Sequence, residues 1–371
     1  MGKLIVVAGS QYGSEGKGHV TDHLTRPENL MGGASLVAVR VAGPNAGHVV
    51  YGACPIRCDR GPDHAHNGRP IGHPWKLRAV PVAAVSNRDA SLVIADGSEV
   101  DLAVLQEEID QLDSAGYKVS SRIGISIEAT VLEPSHIKEE ETDGIQSRLG
   151  STAKGIGAAR ANRIWRYAKR YDGDYAMVQD TTKYLYNALD SGKTVLIEGT
   201  QGYGLGLHAG NYPFCTSSDT RAIDFLAMAG ISPWYPAVTS FEVWLATRVR
   251  PIRVAGNSGP MKEETSWQEL GLPEERTTVT NKVRRVGGWD PALVRRAIRA
   301  NGGDYPDSPV RLAFTMVDTV LPGIAGYDRY PNREDAQTRE ALADWIAYKE
   351  NELNTPVGFI GTSPNTGFFR N

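Results

Sequence analysis

The stretch LIVVAGSQYGSEGKGHVTDHL, from Leu4 to Leu24, decides how this sequence is interpreted. Its first five residues form an apolar run with the length of a buried parallel strand, and its last six indicate the start of a helix. Between them lies a glycine-rich turn, and this order of parts aims backbone N–H groups at a phosphate. The common phosphate loop has Ser or Thr after its Gly-Lys pair, but Gly18 follows Lys17 here. The stretch therefore predicts an α/β fold whose phosphate-binding loop is altered.

Five further apolar runs have the length and composition of strands. They are Leu36–Val41, Leu92–Ala95, Thr194–Glu198, Ala237–Ala246 and Val310–Met316. Segments with helical character separate several of them, and such alternation is typical of a parallel sheet. We expect an α/β protein with a large, mainly parallel central sheet flanked by helices and with smaller excursions. Because no stretch has the composition of a linker, we expect residues 1–371 to form one domain.

Three helices are predicted with particular ends. Asp101 is a plausible N-cap for a helix from Leu102 to Ala115. The residues from Ala159 to Tyr171 indicate a strongly basic helix. A further helix is predicted through Ala292 to Ala300, because Pro291 suits its first turn.

Composition excludes several classes of partner. The chain has 371 residues, 41% of them hydrophobic, and a formal net charge of -3. Without a long basic run, neither nucleic acid nor a membrane surface is expected as the main partner. No apolar stretch approaches the roughly 20 residues that a membrane helix requires. We therefore expect a cytoplasmic protein.

The three cysteines are too few for a disulfide framework in a chain of this size. Two of them, Cys54 and Cys58, lie close in sequence to His64 and His66, which raises the possibility of a zinc site. The two histidines are closer together than in common zinc motifs. A polar hairpin is therefore the preferred interpretation, and zinc remains the alternative.

Several segments rich in Gly, Ser, Thr and Asn carry groups that suit anionic substrates. They are Gly43–His48, Gly150–Gly155, Glu198–Gly202, Tyr212–Ser218 and Thr277–Arg285. The second places hydroxyls, backbone amides and an amino group before the basic helix, and these groups suit a phosphate monoester. The last pairs hydroxyls with guanidinium groups, which suits a dicarboxylate. Each segment taken alone could also be a helix cap or a solvated polar loop.

The order of these segments resembles the adenylosuccinate synthetase family. Its motifs stand here as GSEGKG, NAGH, STAKGIG, QG, YPFCTSS, VTNKVRR and TMVD, and they span Val6 to Gly361. The resemblance implies a ligase that joins aspartate to a purine nucleotide while hydrolysing a nucleoside triphosphate. It also implies Mg²⁺ and a homodimer in which Arg166 reaches the neighbouring subunit's phosphate site.

The resemblance implies a role for each matching residue. Ser14, Lys17, His48 and Gln201 would be catalytic, with His48 as the general acid at the purine 6-oxygen. The purine nucleotide would contact Ser14, Asn45, Ser151, Thr152, Arg166, Gln201 and Thr216. Aspartate would contact Thr278, Val279, Thr280, Asn281, Lys282 and Arg284. The triphosphate would contact Gly13, Glu15, Gly16, Lys17, Gly18, Gly47, His48, Val49, Arg284, Met316, Asp318, Gly361 and Ser363. The metal would be held by Ser14 and the carbonyl of Gly47.

Ser14 departs from the family, which has an aspartate there to take the purine N1 proton and ligate magnesium. One interpretation is a non-catalytic relative that only binds nucleotides. The other is an altered substrate, because a purine with a 2-amino group places two N–H donors beside N1 and a shorter side chain makes room for them. The second is preferred because the other catalytic positions are retained. It resembles the bacteriophage-type branch, PurZ, which uses dGMP in place of IMP.

Other departures concern the triphosphate and aspartate. Met316 stands where the family has a lysine that helps to recognise guanine, so we expect ATP or dATP in place of GTP. Asn281 and Lys282 replace a glycine and an arginine, and lysine loses the bidentate geometry of arginine. The prediction is a ligase that makes N6-succino-2-amino-2'-deoxyadenylate from dGMP, aspartate and ATP or dATP. An ordinary synthetase acting on IMP with GTP is the alternative enzyme.

Overall fold

The structure is a computed structural model of the chain. It describes residues 2–30, 33–41, 43–53, 72–173, 180–277, 281–305 and 307–370, together with the backbone of residues 65–66 and 69–70. The segment from Cys54 to His64, which carries most of the possible zinc ligands, lies outside the described residues. So do Thr278, Val279 and Thr280 of the predicted aspartate loop.

The strands of the described residues are short and mostly buried. They are β1 Gly2–Gly9, β2 Leu36–Arg40, β3 His48–Gly52, β4 Ala65–His66, β5 Arg69–Pro70, β6 His73–Leu77, β7 Ser91–Ile94, β8 Glu99–Val100, β9 Ile123–Ile125, β10 Thr130–Val131, β11 Thr194–Glu198, β12 Val238–Arg248, β13 Ile252–Arg253, β14 Arg285–Val286, β15 Val310–Thr315, β16 Val357–Gly361 and β17 Gly367–Phe369.

The α-helices vary from a single turn to five turns. They are α1 Lys17–Thr25, α2 Ala83–Ser86, α3 Leu102–Ser114, α4 Pro134–Asp143, α5 Ile145–Leu149, α6 Ile156–Trp165, α7 Thr181–Asp190, α8 Ala222–Met228, α9 Pro291–Ala300 and α10 Ala336–Leu353.

Nine of the described strands form one sheet in the order β17-β16-β15-β12-β1-β11-β2-β7-β9. Neighbouring strands are parallel except at one edge, where β17 runs antiparallel to β16. Parallel pairing brings the carboxyl ends of β1, β2, β11, β12, β15 and β16 to the same edge. In open α/β sheets, ligands bind in the crevice outside this edge.

Side-chain alternation along β1 divides the core between the two faces of the sheet. Leu4 and Val6 belong to one hydrophobic cluster, with α7, α8, α9 and α10. Ile5 and Val7 belong to the other, with α1 and α3. Apolar residues on both faces are typical of parallel strands covered by helices on each side. The predicted α/β architecture is therefore confirmed.

All six predicted strands are present, with ends that differ by at most two residues. Asp101 caps α3 as predicted, because its carboxylate accepts hydrogen bonds from the N–H groups of Ala103 and Val104. The helix predicted from Pro291 is α9. Strands β16 and β17 and the β3–β6 hairpin were not predicted.

The basic helix predicted from Ala159 to Tyr171 is wrong at both ends. Helix α6 begins at Ile156 and ends at Trp165, and Arg166 adopts a left-handed conformation with φ 67°. The next residues turn back, because the N–H of Tyr171 donates to the carbonyl of Ala129 at 2.9 Å. Pairing with the β10 region thus replaces the helix. In the part of the chain that the structure describes, no helix is both long and apolar enough to cross a membrane.

Candidate active site at the carboxyl edge of the sheet

The loop between β1 and α1 is held in place by the side chain of Gln11. Its Nε2 donates to the carbonyl of Arg248 at 2.9 Å, and its Oε1 accepts from the N–H of Arg248 at 3.0 Å. Gln11 occupies the position where a common phosphate loop begins with Gly. The amide pair fixes the loop to the end of β12, so a buried glutamine takes over the anchoring of the turn.

Glu15 fills the centre of this loop with a carboxylate that is fully buried. Its Oε1 accepts from the N–H groups of Gln11 at 3.1 Å and Gly13 at 2.8 Å, and its Oε2 lies 2.6 Å from Lys17 Nζ. The carboxylate fits in this space because Gly202 has no side chain. A Cβ on Gly202 would lie 2.0 Å from Oε1 of Glu15. In this structure the Glu15 carboxylate therefore accepts hydrogen bonds from loop amides. In other phosphate-binding loops such amides donate to a phosphate.

Ser14 lies on the open side of the loop and contacts the predicted aspartate segment. Its hydroxyl accepts a hydrogen bond from Nη1 of Arg284, and Nε of Arg284 donates to the carbonyl of Arg276 at 3.2 Å. Burial lowers the pKa of the Arg284 guanidinium to about 10. The neighbouring Glu275 binds the guanidinium of Arg248 through both carboxylate oxygens.

His48 begins β3 and is backed by two buried charges that the sequence analysis missed. Its Nδ1 contacts Oε1 of Glu198, and Nη1 of Arg40 contacts both groups. The second oxygen of Glu198 accepts from the N–H of Val82 at 2.9 Å. Burial, followed by the charge of Arg40, lowers the pKa of His48 to about 4. The pKa of Glu198 is also lowered, because Arg40 and His48 outweigh its burial.

Two other predicted residues lie against the same loop. Gln201 donates from Nε2 to Oδ1 of Asn45 at 3.4 Å. The backbone of the loop passes close to both segments. A Cβ on Gly13 would lie 3.7 Å from the Cα of Gln201, and a Cβ on Gly18 would lie 2.9 Å from the Cβ of His48. The structure therefore brings the loop, the Gly43–His48 turn and the Glu198–Gly202 segment together.

A cavity of about 260 Å³ contains part of the predicted phosphate site. Ser151 and Thr152 line it together with Lys282, which belongs to the predicted aspartate loop. Residues 254–257 form a further wall, and Asn257 ties this wall to helix α5 by donating to the carbonyl of Arg148 at 2.8 Å. Two residues with hydroxyls and a lysine thus line one cavity, a set of groups that suits a phosphorylated sugar.

The start of α6 is occupied by the carboxylate of Glu140 from α4. The N–H groups of Gly155 and Gly157 donate to its two oxygens, each at 2.7 Å. The sequence analysis assigned a phosphate to hydroxyls, backbone amides and an amino group in this segment. Because Glu140 takes two of the amides, a ligand at this helix start depends more on side-chain groups.

The remaining segments meet around the same helix start. A Cβ on Gly157 would lie 3.9 Å from the Cβ of Ser217, which follows Thr216 in the chain. A Cβ on Gly43 would lie 2.4 Å from Cδ1 of Ile156. The Tyr212–Ser218 segment and the Gly43–His48 turn therefore both approach the predicted phosphate site.

The triphosphate end of the predicted site lies across the loop, at β15 and β16. Thr315 donates from Oγ1 to the carbonyl of Glu15 at 2.7 Å, so Met316 follows directly from a residue bound to the loop. A Cβ on Gly361 would lie 3.3 Å from the Cα of Thr315. Asp318 lies in the one-turn helix after Met316, and Ser363 lies in the turn between β16 and β17.

Six residues in these segments adopt positive φ without being glycine. They are Ser14, Ala153, Arg166, Gln201, Asn281 and Met316. Asn281 stands where the family has glycine, and asparagine tolerates the left-handed conformation better than most residues. Backbone strain of this kind clusters at functional sites.

Arg166 is the predicted nucleotide contact that the structure does not bring to the site of its own chain. It ends α6 on the surface, where its Nη1 donates to the carbonyl of Ile164 at 2.8 Å. The neighbouring Ile164, Trp165 and Tyr167 are exposed by 67%, 66% and 80%. These exposed apolar side chains lie beside Arg166, and exposed apolar patches are typical of interaction surfaces.

The donor groups for a metal are few. Among the described residues, no three His, Cys, Asp or Glu side chains lie close enough to hold an ion. The Ser14 hydroxyl and the Gly47 carbonyl are oxygen donors of the kind that Mg²⁺ takes, and Mg²⁺ completes its shell with substrate phosphates and water. By donor type, these two oxygens fit a metal whose other ligands are phosphates and water.

Comparisons with known proteins identify the family. The family model for adenylosuccinate synthetase matches residues 6–174 and 171–322. The adenylosuccinate synthetase of Pyrococcus horikoshii is 32% identical over 370 residues, which cover 97% of this chain and 96% of the relative. That of Methanocaldococcus jannaschii is 31% identical over 368 residues, with 97% and 94% covered.

Two solved structures have the same fold. The succinoaminodeoxyadenylate synthetase PurZ of cyanophage S-2L, bound to dGMP and dATP as an energy donor, matches with a TM-score of 0.72 and 24% identity over 100% of this chain and 95% of that chain. The fully ligated adenylosuccinate synthetase of Plasmodium falciparum matches with a TM-score of 0.76 and 19% identity over 100% of both chains. Together with the family model and the archaeal relatives, these matches establish that the chain belongs to the adenylosuccinate synthetase family, whose members are ligases that form a carbon–nitrogen bond.

Proposed function

We propose that this ligase joins L-aspartate to C6 of dGMP and forms N6-succino-2-amino-2'-deoxyadenylate, a precursor of 2-aminoadenine DNA. The observation that carries the proposal is Ser14, a short and uncharged side chain on the open side of the N-terminal loop. It leaves room for a purine 2-amino group and offers an acceptor for its N–H groups. The likeness of the fold to a phage enzyme bound to dGMP supports this choice.

The reaction needs a way to remove the purine 6-oxygen, which is a poor leaving group. Its phosphorylation by the triphosphate gives a 6-phosphoryl intermediate, and the aspartate amine then displaces phosphate. His48 is the general acid at this oxygen, through the Nε2 that its contact with Glu198 leaves available. Lys17 and Gln201 stabilise the charge that develops there.

The charge state of His48 changes during this sequence. The free imidazole is neutral near pH 7, because burial and Arg40 lower its pKa to about 4. Anionic groups bound beside Nε2 favour protonation, as nearby negative charge does for any histidine. His48 therefore becomes an acid when the purine oxyanion and the triphosphate are in place. The N1 proton acceptor would be Ser14 acting through water.

Mg²⁺ would be held by the Gly47 carbonyl, the Ser14 hydroxyl and the phosphates, and it supplies neutralisation of the charge on the transferred phosphoryl group. ATP or dATP is the proposed donor, because Met316 lacks the charge of the family's lysine. Asp318, Gly361 and Ser363 would contact the base and sugar of the donor.

The active sites are proposed to be shared in a homodimer. Arg166 lies on an exposed apolar and basic surface and contacts no residue of its own phosphate site among the described residues. Ser151, Thr152 and Thr216 would hold the 5'-phosphate, and the partner's Arg166 would complete their site. The aspartate carboxylates would bind residues 278–282 and Arg284.

Phosphate release with aspartate, Mg²⁺ and ATP tests this function when dGMP is compared with IMP and the products are identified by mass. Turnover with dGMP and little with IMP is expected. Turnover with IMP and GTP alone would assign the chain to the ordinary synthetases. If neither nucleotide reacts with ATP, dATP or GTP, the chain is a non-catalytic relative.

A further inference from the structure

The contact between Ser14 and Arg284 joins two segments that are about 270 residues apart in sequence. Nη1 of the guanidinium donates to the serine hydroxyl, and Nε donates to the carbonyl of Arg276 at 3.2 Å. Both acceptors are uncharged. Residue 14 is therefore a direct neighbour of a cation that we assign to aspartate binding.

The carboxylates nearest to Arg284 already have other partners. Both oxygens of Glu275 bind Arg248, at 3.0 Å for Nη1 and Oε2. Glu15 binds Lys17 at 2.6 Å and two loop amides. Among the described residues, Arg284 consequently forms no ion pair with an acidic side chain, although its side chain is only half-exposed.

A guanidinium in this state is ready for a carboxylate of the substrate. Arginine binds carboxylates through two parallel N–H donors, and the interaction is strong where water is excluded. A carboxylate at position 14 would occupy the same donor, because Nη1 already reaches the side chain there. An aspartate at position 14 would thus compete with the substrate for Arg284.

We propose that Ser14 is a positioning residue for aspartate as well as a contact for the purine. Its lack of charge leaves Arg284 without a direct ion-pair partner in the part of the chain that the structure describes, so residue 14 sets the affinity for L-aspartate through Arg284. The inference rests on the proposed function only in assigning the aspartate carboxylates to Arg284. It gives the serine a second reason to be present, independent of the purine 2-amino group.

Two variants of equal size separate charge from volume at this position. Ser14→Asp adds a carboxylate, and Ser14→Asn adds a side chain of the same shape without charge. The measurement is calorimetric titration of L-aspartate into the full-length protein holding dGMP, or holding IMP where the wild type prefers it. Ser14→Asp is expected to raise the Kd for aspartate about tenfold or more above that of Ser14→Asn. Added salt is expected to reduce the difference in aspartate Kd between the two variants.

A double-mutant cycle identifies Arg284 as the cause. In an Arg284→Met background, Ser14→Asp and Ser14→Asn are expected to give the same aspartate affinity, because the cation that distinguishes them is absent. Weak binding in that background is read from the shift of Tm with aspartate concentration. Each variant's Tm without ligand shows that it is folded.

Equal aspartate affinities for Ser14→Asp and Ser14→Asn in the otherwise wild-type chain would overturn the inference, since volume alone would then matter. The inference would also be overturned if the aspartate Kd values of Ser14→Asp and Ser14→Asn kept the same ratio in the Arg284→Met background. Both results are read from aspartate binding and not from turnover, so they do not depend on which purine nucleotide the enzyme converts. Turnover of IMP in place of dGMP would remove the proposed function and leave this inference standing.

Discussion

The imidazole of His48 is oriented by Glu198, whose carboxylate meets Nδ1 and receives the N–H of Val82 at 2.9 Å. The pair lies at the carboxyl ends of β2 and β11, where Arg40 adds a buried positive charge. A neutral imidazole that donates from Nδ1 presents the lone pair of Nε2 to a ligand. The orientation of His48, the proposed general acid, is therefore set by Glu198, which begins the Glu198–Gly202 segment.

Glu198→Gln is expected to reduce kcat by about 100-fold, because the amide keeps the shape of the side chain and loses the charge that stabilises a protonated His48. The KM for the nucleotides is expected to change by less than about threefold. Steady-state phosphate release as a function of pH measures both. Glu242→Gln is the control, because Glu242 lies near the middle of β12 and pairs with Lys3 at 2.7 Å. An unchanged kcat would show that Glu198 serves packing alone.

Glu15→Gln is expected to lower kcat/KM by about 100-fold, because a glutamine cannot accept from both loop amides and also hold the Lys17 ammonium. Glu108→Gln is the control, since Glu108 is also buried and accepts from the N–H groups of Arg78, Ala79 and Val80. Both variants are expected to lower Tm. If Glu108→Gln lost as much activity as Glu15→Gln, general destabilisation would explain the loss in Glu15→Gln.

Arg166→Ala and Thr152→Val are each expected to be inactive and to regain activity when they are mixed. In a mixed dimer, one site receives an intact Thr152 from one subunit and an intact Arg166 from the other. Activity after mixing and subunit exchange measures this recovery, and each variant alone is the control. No recovery in a mixture that sedimentation shows to contain dimers would contradict the shared site.

The stability of the folded chain is expected to decrease as the pH falls below 6.5. Burial lowers the pKa of His19 to about 3, of His23 to about 2 and of His48 to about 4, from 6.5. Between these values and 6.5 the unfolded chain binds protons that the folded chain does not. Each group therefore contributes a slope of up to about 1.4 kcal/mol per pH unit, and its stabilisation is fully present above pH 6.5.

His23→Gln isolates one of these contributions. Urea unfolding at several pH values is expected to show a shallower decline between pH 6.5 and 4, by about the slope of one group. The matched control is His208→Gln, because the side chain of His208 is exposed. A decline as steep as that of the wild type would mean that His23 binds its proton in the folded state.

The sequence predicted the parts of the molecule that follow from local rules. Apolar runs and the cap at Asp101 depend on neighbouring residues, and the structure confirms both. The end of α6 could not be found in this way, because pairing with the β10 region determines it. Strand β17 is short and pairs at an edge, so it carries little periodic signal.

The sequence also predicted the segments that meet at the carboxyl edge, but not the partners behind them. Arg40 and Glu198 end apolar strands, and a charge in that position was the available signal. The contact between Glu140 and the start of α6 has no such signal, since it depends on how two helices pack. Charged residues that are distant in sequence and meet only in the folded chain could not be predicted from the sequence.

Glu140 has a consequence for which molecules the site retains. A vacant helix start attracts any phosphate, including the inorganic phosphate that the proposed ligation releases. Here the amides of Gly155 and Gly157 are already paired, so a free phosphate ion gains little from the helix. Tight binding then requires the sugar and the base together with the phosphate. If the proposed ligation is correct, the protein would thereby distinguish a complete nucleotide from the inorganic phosphate that the reaction releases.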